Sequence, residues 1–276
     1  MRRGFGLGLL ALAAVVLLST GRASAVLSVH PAYVELNLDR GRPSEILTVT
    51  NLTDEEVRYR AKVRHFLYTK EGGIQHLPPD EHSLASWTKL NPKEFTIPPK
   101  GSRVIRLSVI APRNLAPGEY WADIEFEPLE GRVTEADDGE GRTIRLEVTA
   151  SILVPIVGQV GTLTYQVQLQ DLSAWKTETG IRVSAHLANT GTGRIGIKGT
   201  YEVLNASDEV VAEGLIGDDT ILAGGERVFV RLAEGEFLDD EYMVRVRYTS
   251  RRIEETIAGQ TSVALVSPEE EPGFQP

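Results

Sequence analysis

Apolar and polar residues alternate with period two along this chain, and that pattern leaves little room for anything but antiparallel sheet. Val57-Arg58-Tyr59-Arg60-Ala61-Lys62-Val63-Arg64 puts four apolar residues on one side of an extended strand and four cations on the other. Tyr120, Ala122, Ile124 and Phe126 alternate with Trp121, Asp123, Glu125 and Glu127, and Ile144, Leu146 and Val148 with Arg145, Glu147 and Thr149. Strands of this kind are wet on one face and buried on the other. Turn residues separate them at Asp39-Arg40-Gly41, Asn51 to Glu56, Pro98-Pro99-Lys100-Gly101 and Ala116-Pro117-Gly118. No long stretch carries the helical period. Short strands at this spacing predict β-sandwiches.

The pattern is written twice. "PPKGSRVIRLSVIAPRNLAPGEYWADIEF" (98–126) and "LAGGERVFVRLAEGEFLDDEYMVRVRY" (222–248) share a Gly, an alternating Arg-containing run, a Leu-centred turn, Glu-Tyr and a second alternating run. Upstream, Ile46, Leu47 and Val49 lead to Asn51-Leu52-Thr53, as Ile181, Val183, Ala185 and Leu187 lead to Asn189-Thr190-Gly191. The repeat predicts two tandem immunoglobulin-like sandwiches, with Tyr120 and Tyr242 each where a tyrosine corner would sit. The expected division is 1–25 signal peptide, 26–157 first sandwich, 158–266 second sandwich and 267–276 a disordered acidic tail, "SPEEEPGFQP".

The first 25 residues read as a leader. Arg2 and Arg3 precede an apolar run from Gly4 to Leu18, then Ala23-Ser24-Ala25, a small-residue cleavage site. The run is short for a membrane span, so a periplasmic or secreted location without a membrane span is expected. Removing the leader takes three of the 29 Lys and Arg and no acid, leaving 26 cations against 39 acids, a net charge of −13. Such a chain is not built to bind nucleic acid. With no Cys, the cores must hold without disulfides.

No catalytic constellation stands out, so the chain reads as a non-enzyme without a cofactor or metal. It has no thiol, no Gly-rich phosphate loop and no Gly-x-Ser-x-Gly elbow. His76 and His82 flank Glu81 without a zinc spacing, and Asp137-Asp138-Gly139-Glu140 lacks the carboxylate spacing of a calcium loop. The segments Thr69 to Pro92 and Pro128 to Gly141 read as long loops. The ladder Arg58, Arg60, Lys62, Arg64 is expected to face Asp123, Glu125 and Glu127 across neighbouring strands. A last strand, Thr143 to Leu153, either lies inside the sheet or presents a free edge to a foreign strand. Pro155, which cannot donate to a ladder, marks an edge or a junction.

"LSVHPAYVEL", "ILTVTN", "IPPKGSRVIRLSVIAP", "LAPGEYWADIEF" and "IRLEVTASILVPI" resemble the periplasmic pilus-assembly chaperones over residues 27–157. The resemblance implies two immunoglobulin-like domains and a last strand that lends alternating apolar side chains to an incomplete pilin subunit. By motif those residues are Ile144 and Leu146, with Val148 further along; the next position falls on Arg142, which is not apolar. The family also anchors the subunit's terminal carboxylate with two cations in the cleft between domains. The matching positions here are Tyr33 and Ser151, and neither is a cation.

Two functions follow as expectations. One is a chaperone-like protein that binds an extended strand of a surface or fimbrial subunit during assembly. The other is a non-enzymatic structural or adhesion protein of the cell envelope.

Overall fold

The computed structural model describes residues 27–130, 132–137, 143–148, 150–239 and 241–265. Twelve strands come first: β1 (Leu27–His30), β2 (Val34–Asn37), β3 (Ser44–Asn51), β4 (Val57–Tyr68), β5 (Ile74–Leu77), β6 (Thr88–Asn91), β7 (Glu94–Ile97), β8 (Ser102–Val109), β9 (Gly118–Pro128), β10 (Arg132–Asp137), β11 (Thr143–Val148) and β12 (Ile152–Val160). One sheet runs β1-β3-β8-β6 and the other β2-β12-β9-β4-β5, with β7 also on β4; β10 and β11 form a two-stranded ribbon. Every pairing is antiparallel except that of β12 with β2.

The alternation decides what is buried. Leu47, Val49, Ile105 and Leu107 from one sheet meet Ala61, Ile124, Phe126 and Ile156 from the other in a single apolar cluster. Each of the larger side chains among these contributes roughly 1.5–3 kcal/mol on burial, and this core stands without a disulfide. The intervening cations of β4 stay outside and find acids. Lys62 reaches Glu127 at 2.6 Å, Arg64 reaches Glu125 at 2.9 Å, and Arg60 reaches Glu94 at 2.8 Å. The first two pairs are diagonal, since Lys62 lies opposite Glu125 and Arg64 opposite Asp123. Asp123 turns instead to His76.

Seven strands follow: β13 (Val167–Thr177), β14 (Gly180–Asn189), β15 (Ile195–Asn205), β16 (Val210–Ile221), β17 (Glu226–Glu234), β18 (Tyr242–Thr249) and β19 (Ile257–Ser262). They make sheets β13-β14-β17 and β16-β15-β18-β19 around a second cluster that includes Ile181, Val183, Leu187, Val203, Val244, Val246 and Tyr248. The fold is thus all-β, with two sandwiches in tandem.

The repeat seen in the sequence reappears in geometry. Gly101 N donates to Pro98 O at 3.0 Å, as Gly225 N does to Leu222 O at 2.9 Å. The residue before each Gly is left-handed, Lys100 at φ 55° and Gly224 at φ 68°. Tyr120 Oη donates to Ala116 O at 2.9 Å, closing a tyrosine corner, while Tyr242 Oη accepts from Asp239 N at 2.8 Å.

The two segments read as loops contain strands. Residues 69–92 hold β5 and β6, and β10 lies within 128–141. In β10 only Val133 and Ala136 are apolar, so the local pattern carries no strand signal; pairing with β11 supplies the order.

Candidate strand-docking edge and inter-sandwich cleft

The stretch expected as one strand from Thr143 to Leu153 is divided. β11 ends at Val148 and β12 starts at Ile152. Across the division the pairing register shifts by two residues, from Val148 opposite Arg132 to Ile152 opposite Phe126. The arms β9–β10 and β11–β12 therefore form one long interrupted hairpin. Within its outer part Ile144 lies opposite Ala136, Leu146 opposite Thr134 and Val148 opposite Arg132. Arg142 falls outside the described residues, as do Asp138, Gly139 and Glu140.

One side of this hairpin is open. β12 pairs with β9 along its whole length, but β2 covers its other side only from Ile156 to Gln159. Among the described residues, no strand pairs with the outer side of Ile152–Pro155, and β11 has no strand partner except β10. Pro155 sits at the last residue before β2 closes the edge, where a missing N–H costs no ladder bond.

β2, the start of β9 and the end of β12 face the second sandwich. There a cleft of about 360 Å³ is lined by Glu35, Glu119, Gln159, Tyr165, Arg194 and Arg252, among others. Arg194 follows the turn after Asn189, and its guanidinium bridges two carboxylates, Glu119 and Glu35. Its backbone N–H also donates to Glu119 Oε2 at 2.6 Å. Burial works against the Arg194 charge, yet the carboxylates of Glu119 and Glu35 outweigh it and hold its pKa above the ordinary value. The Tyr33 ring lies 5.3 Å from the guanidinium carbon. Tyr33 is 39% exposed as a whole, yet desolvation of its phenol beside the cleft raises the phenol pKa above its usual range, so it stays neutral. Tyr33 thus lies beside this cleft, whereas Ser151 is exposed just ahead of β12 and does not line it.

An apolar contact lies alongside. Phe66, Trp121 and Val157 of the first sandwich pack against Leu222 and Ala223 of the second. Trp121 Nε1 donates to Phe66 O at 2.8 Å, and His82 stacks on the indole at 5.1 Å. Two other histidines in this region differ in their partners. His76 Nε2 meets Asp123 Oδ2 at 2.6 Å. His65 is buried, and Asp80 approaches it at 3.1 Å without hydrogen-bond geometry.

Arg194, Glu119 and Trp121 are not among the residues expected from the sequence. The repeat misleads for Glu119. The repeat aligns it with Glu241, so both read as exposed residues before a corner Tyr, yet Glu119 is 5% exposed while Glu241 lies in the open. Nothing local marks Arg194, whose partner lies 75 residues away.

No protein-family model matches the sequence, and no curated protein does. Solved structures show a distant similarity. The class 5 fimbriae chaperone CfaA is 15% identical, covering 87% of this chain and 100% of its own, at a TM-score of 0.46. The Pseudomonas aeruginosa CupB2 chaperone is 12% identical over 87% of this chain and 100% of its own, at 0.43. The E. coli chaperone DraB is 13% identical over 87% and 96%, at 0.41. No helix among the described residues is long and apolar enough to cross a membrane.

Proposed function

We propose that this protein is a chaperone-like strand binder of the cell envelope, which holds an extended segment of a surface or fimbrial subunit along the outer side of β11 and the start of β12. The observation that carries the reading is the open hairpin edge. Among the described residues no strand pairs with its outer side from Thr143 to Val148 or from Ile152 to Pro155, whose last residue lacks an N–H, and β2 closes it beyond. Main-chain pairing supplies affinity in such a contact, and alternate side chains supply selectivity. Ile144, Leu146 and Val148 alternate along β11 as that selectivity requires.

The cleft works differently from the resemblance. Tyr33 and Ser151 bring no positive charge, and Arg194 is already engaged by Glu35 and Glu119. The subunit is therefore held by strand pairing rather than by its terminal carboxylate. The same observation favours a second reading, in which the two sandwiches are a structural or adhesive module.

The test is capture from the protein's own envelope extract at high salt, followed by mass spectrometry. Retention of one small β-rich subunit, lost with Ile144→Asp/Leu146→Asp while circular dichroism and Tm hold, supports the strand binder. Capture that is unchanged in that variant, or retention of glycan alone, moves the assignment to the structural module.

A further inference from the structure

The contacts between the two sandwiches are spread across the first one's sheet. Glu35 belongs to β2, Val157 to β12, Glu119 and Trp121 to β9, and Phe66 to β4, so four neighbouring strands all touch the second unit. At the usual strand spacing these contacts span roughly 14 Å.

Each end of the span is polar. At one, Arg194 bridges Glu35 and Glu119, and Glu119 N donates to Thr192 O at 3.0 Å. At the other, Arg227, itself buried, donates from Nη1 to Thr69 O at 2.9 Å and pairs with Asp219. Beside it Lys70 Nζ meets Glu226 at 2.7 Å, and Val228 N donates to Lys70 O at 2.7 Å. Gly72, at φ +103°, lies so close under the guanidinium that a Cβ there would collide with it. Between the two ends lies the Trp121 contact.

We infer that Arg194 and Arg227 are a pair of latches that fix the angle between the sandwiches, so that both units move as one rigid body. A single central contact would act as a pivot. Two charged contacts at opposite ends of a lever, each tying an Arg of the second unit to groups of the first, resist rotation about that pivot. Arg is suited to the role because its planar fork holds two acceptors at once. The inference is independent of what the hairpin edge binds. Its consequence is mechanical: β9 and β12 carry both the hairpin and the contact surface, so the hairpin is held at a set position relative to the second sandwich.

The chain has no Cys, so spin labels can be placed at will. Lys89→Cys on β6 and Glu213→Cys on β16 give one exposed label in each unit. Double electron–electron resonance of this protein should give a single narrow distance peak. Adding Arg194→Gln and Arg227→Gln together should at least double its width, with far-ultraviolet circular dichroism unchanged. If the buried Arg227→Gln prevents folding, Arg194→Gln alone serves instead, since it removes one of the two latches; broadening is again expected. A broad or multiple peak in the parent, or a folded variant as narrow as the parent, overturns the inference.

Discussion

Asn51 and Asn189 occupy equivalent turns in the two sandwiches and make the same bonds. Asn51 Nδ2 donates to Glu55 O, Ile97 O and Pro98 O, while its Oδ1 accepts from Thr53 N. Asn189 Nδ2 donates to Gly193 O, Ile221 O and Leu222 O, and its Oδ1 accepts from Gly191 N. Both are buried, and each ties the end of one strand to the turn that starts another. Asn51→Ala strands buried carbonyls and should cost on the order of 3 kcal/mol. Asn51→Asp keeps the acceptor, loses the donor and buries a charge, so it should be no milder. Urea unfolding followed by the near-ultraviolet signal checks both. A change below that of an ordinary surface substitution would remove the Asn from its structural role.

The tyrosine corners make a paired prediction with a direction. Tyr120 donates to Ala116 O, whereas Tyr242 accepts from Asp239 N. Tyr120→Phe leaves a carbonyl without its donor, and Tyr242→Phe leaves an N–H without its acceptor. Each should lower stability by about 1 kcal/mol. Thermal melts of the two single variants and the double variant check it, and the two losses should add because the sites lie in different cores.

Strand positions on either side of these corners are legible where one face of the strand stays wetter, as in β18, and less so at the start of β9, which is buried on both faces. Tyr59, Ala61, Ile124 and Phe126 lie where period-two reading puts them. The edge was less legible. Alternation runs through Ile144, Leu146 and Val148, yet the break before Ile152 depends on a two-residue change of register against β9 and β10. Register is a property of two strands together, and neither sequence alone contains it. The cleft was the least legible. Glu119 and Arg194 are brought together by the packing of one sandwich on the other, and a free Arg in a turn reads as solvated.

The charge ladder on β4 and β9 should contribute little per pair. Arg64 is 42% exposed beside Glu125, so solvent screens their attraction. A double-mutant cycle with Arg64→Ala and Glu125→Ala should return a coupling of about 0.5 kcal/mol. The coupling should shrink in molar salt. A coupling of several kcal/mol would mean that the pair is far better shielded from water than its exposure implies.

Two carboxylates on β9 respond to pH with opposite signs. Burial raises the pKa of Asp123, and the His76 hydrogen bond and charge only partly offset it. Its Oδ1 finds no partner. The folded state therefore binds this proton more tightly than the unfolded chain does. The resulting stabilisation is complete below the unfolded value, near pH 3.9, and is lost as pH rises through the folded pKa. Glu127 is the reverse case: its hydrogen bond with Lys62 lowers its pKa. That contribution is present above the unfolded value, near pH 4.3, and is lost as pH falls through the folded pKa. Urea midpoints between about pH 3 and 7, measured for the parent, Asp123→Asn and Glu127→Gln, separate the two. The parent's margin over Asp123→Asn should shrink as pH rises, and its margin over Glu127→Gln should grow. An Asp123 margin that widens with pH would mean that His76 outweighs burial and that the carboxylate is held charged.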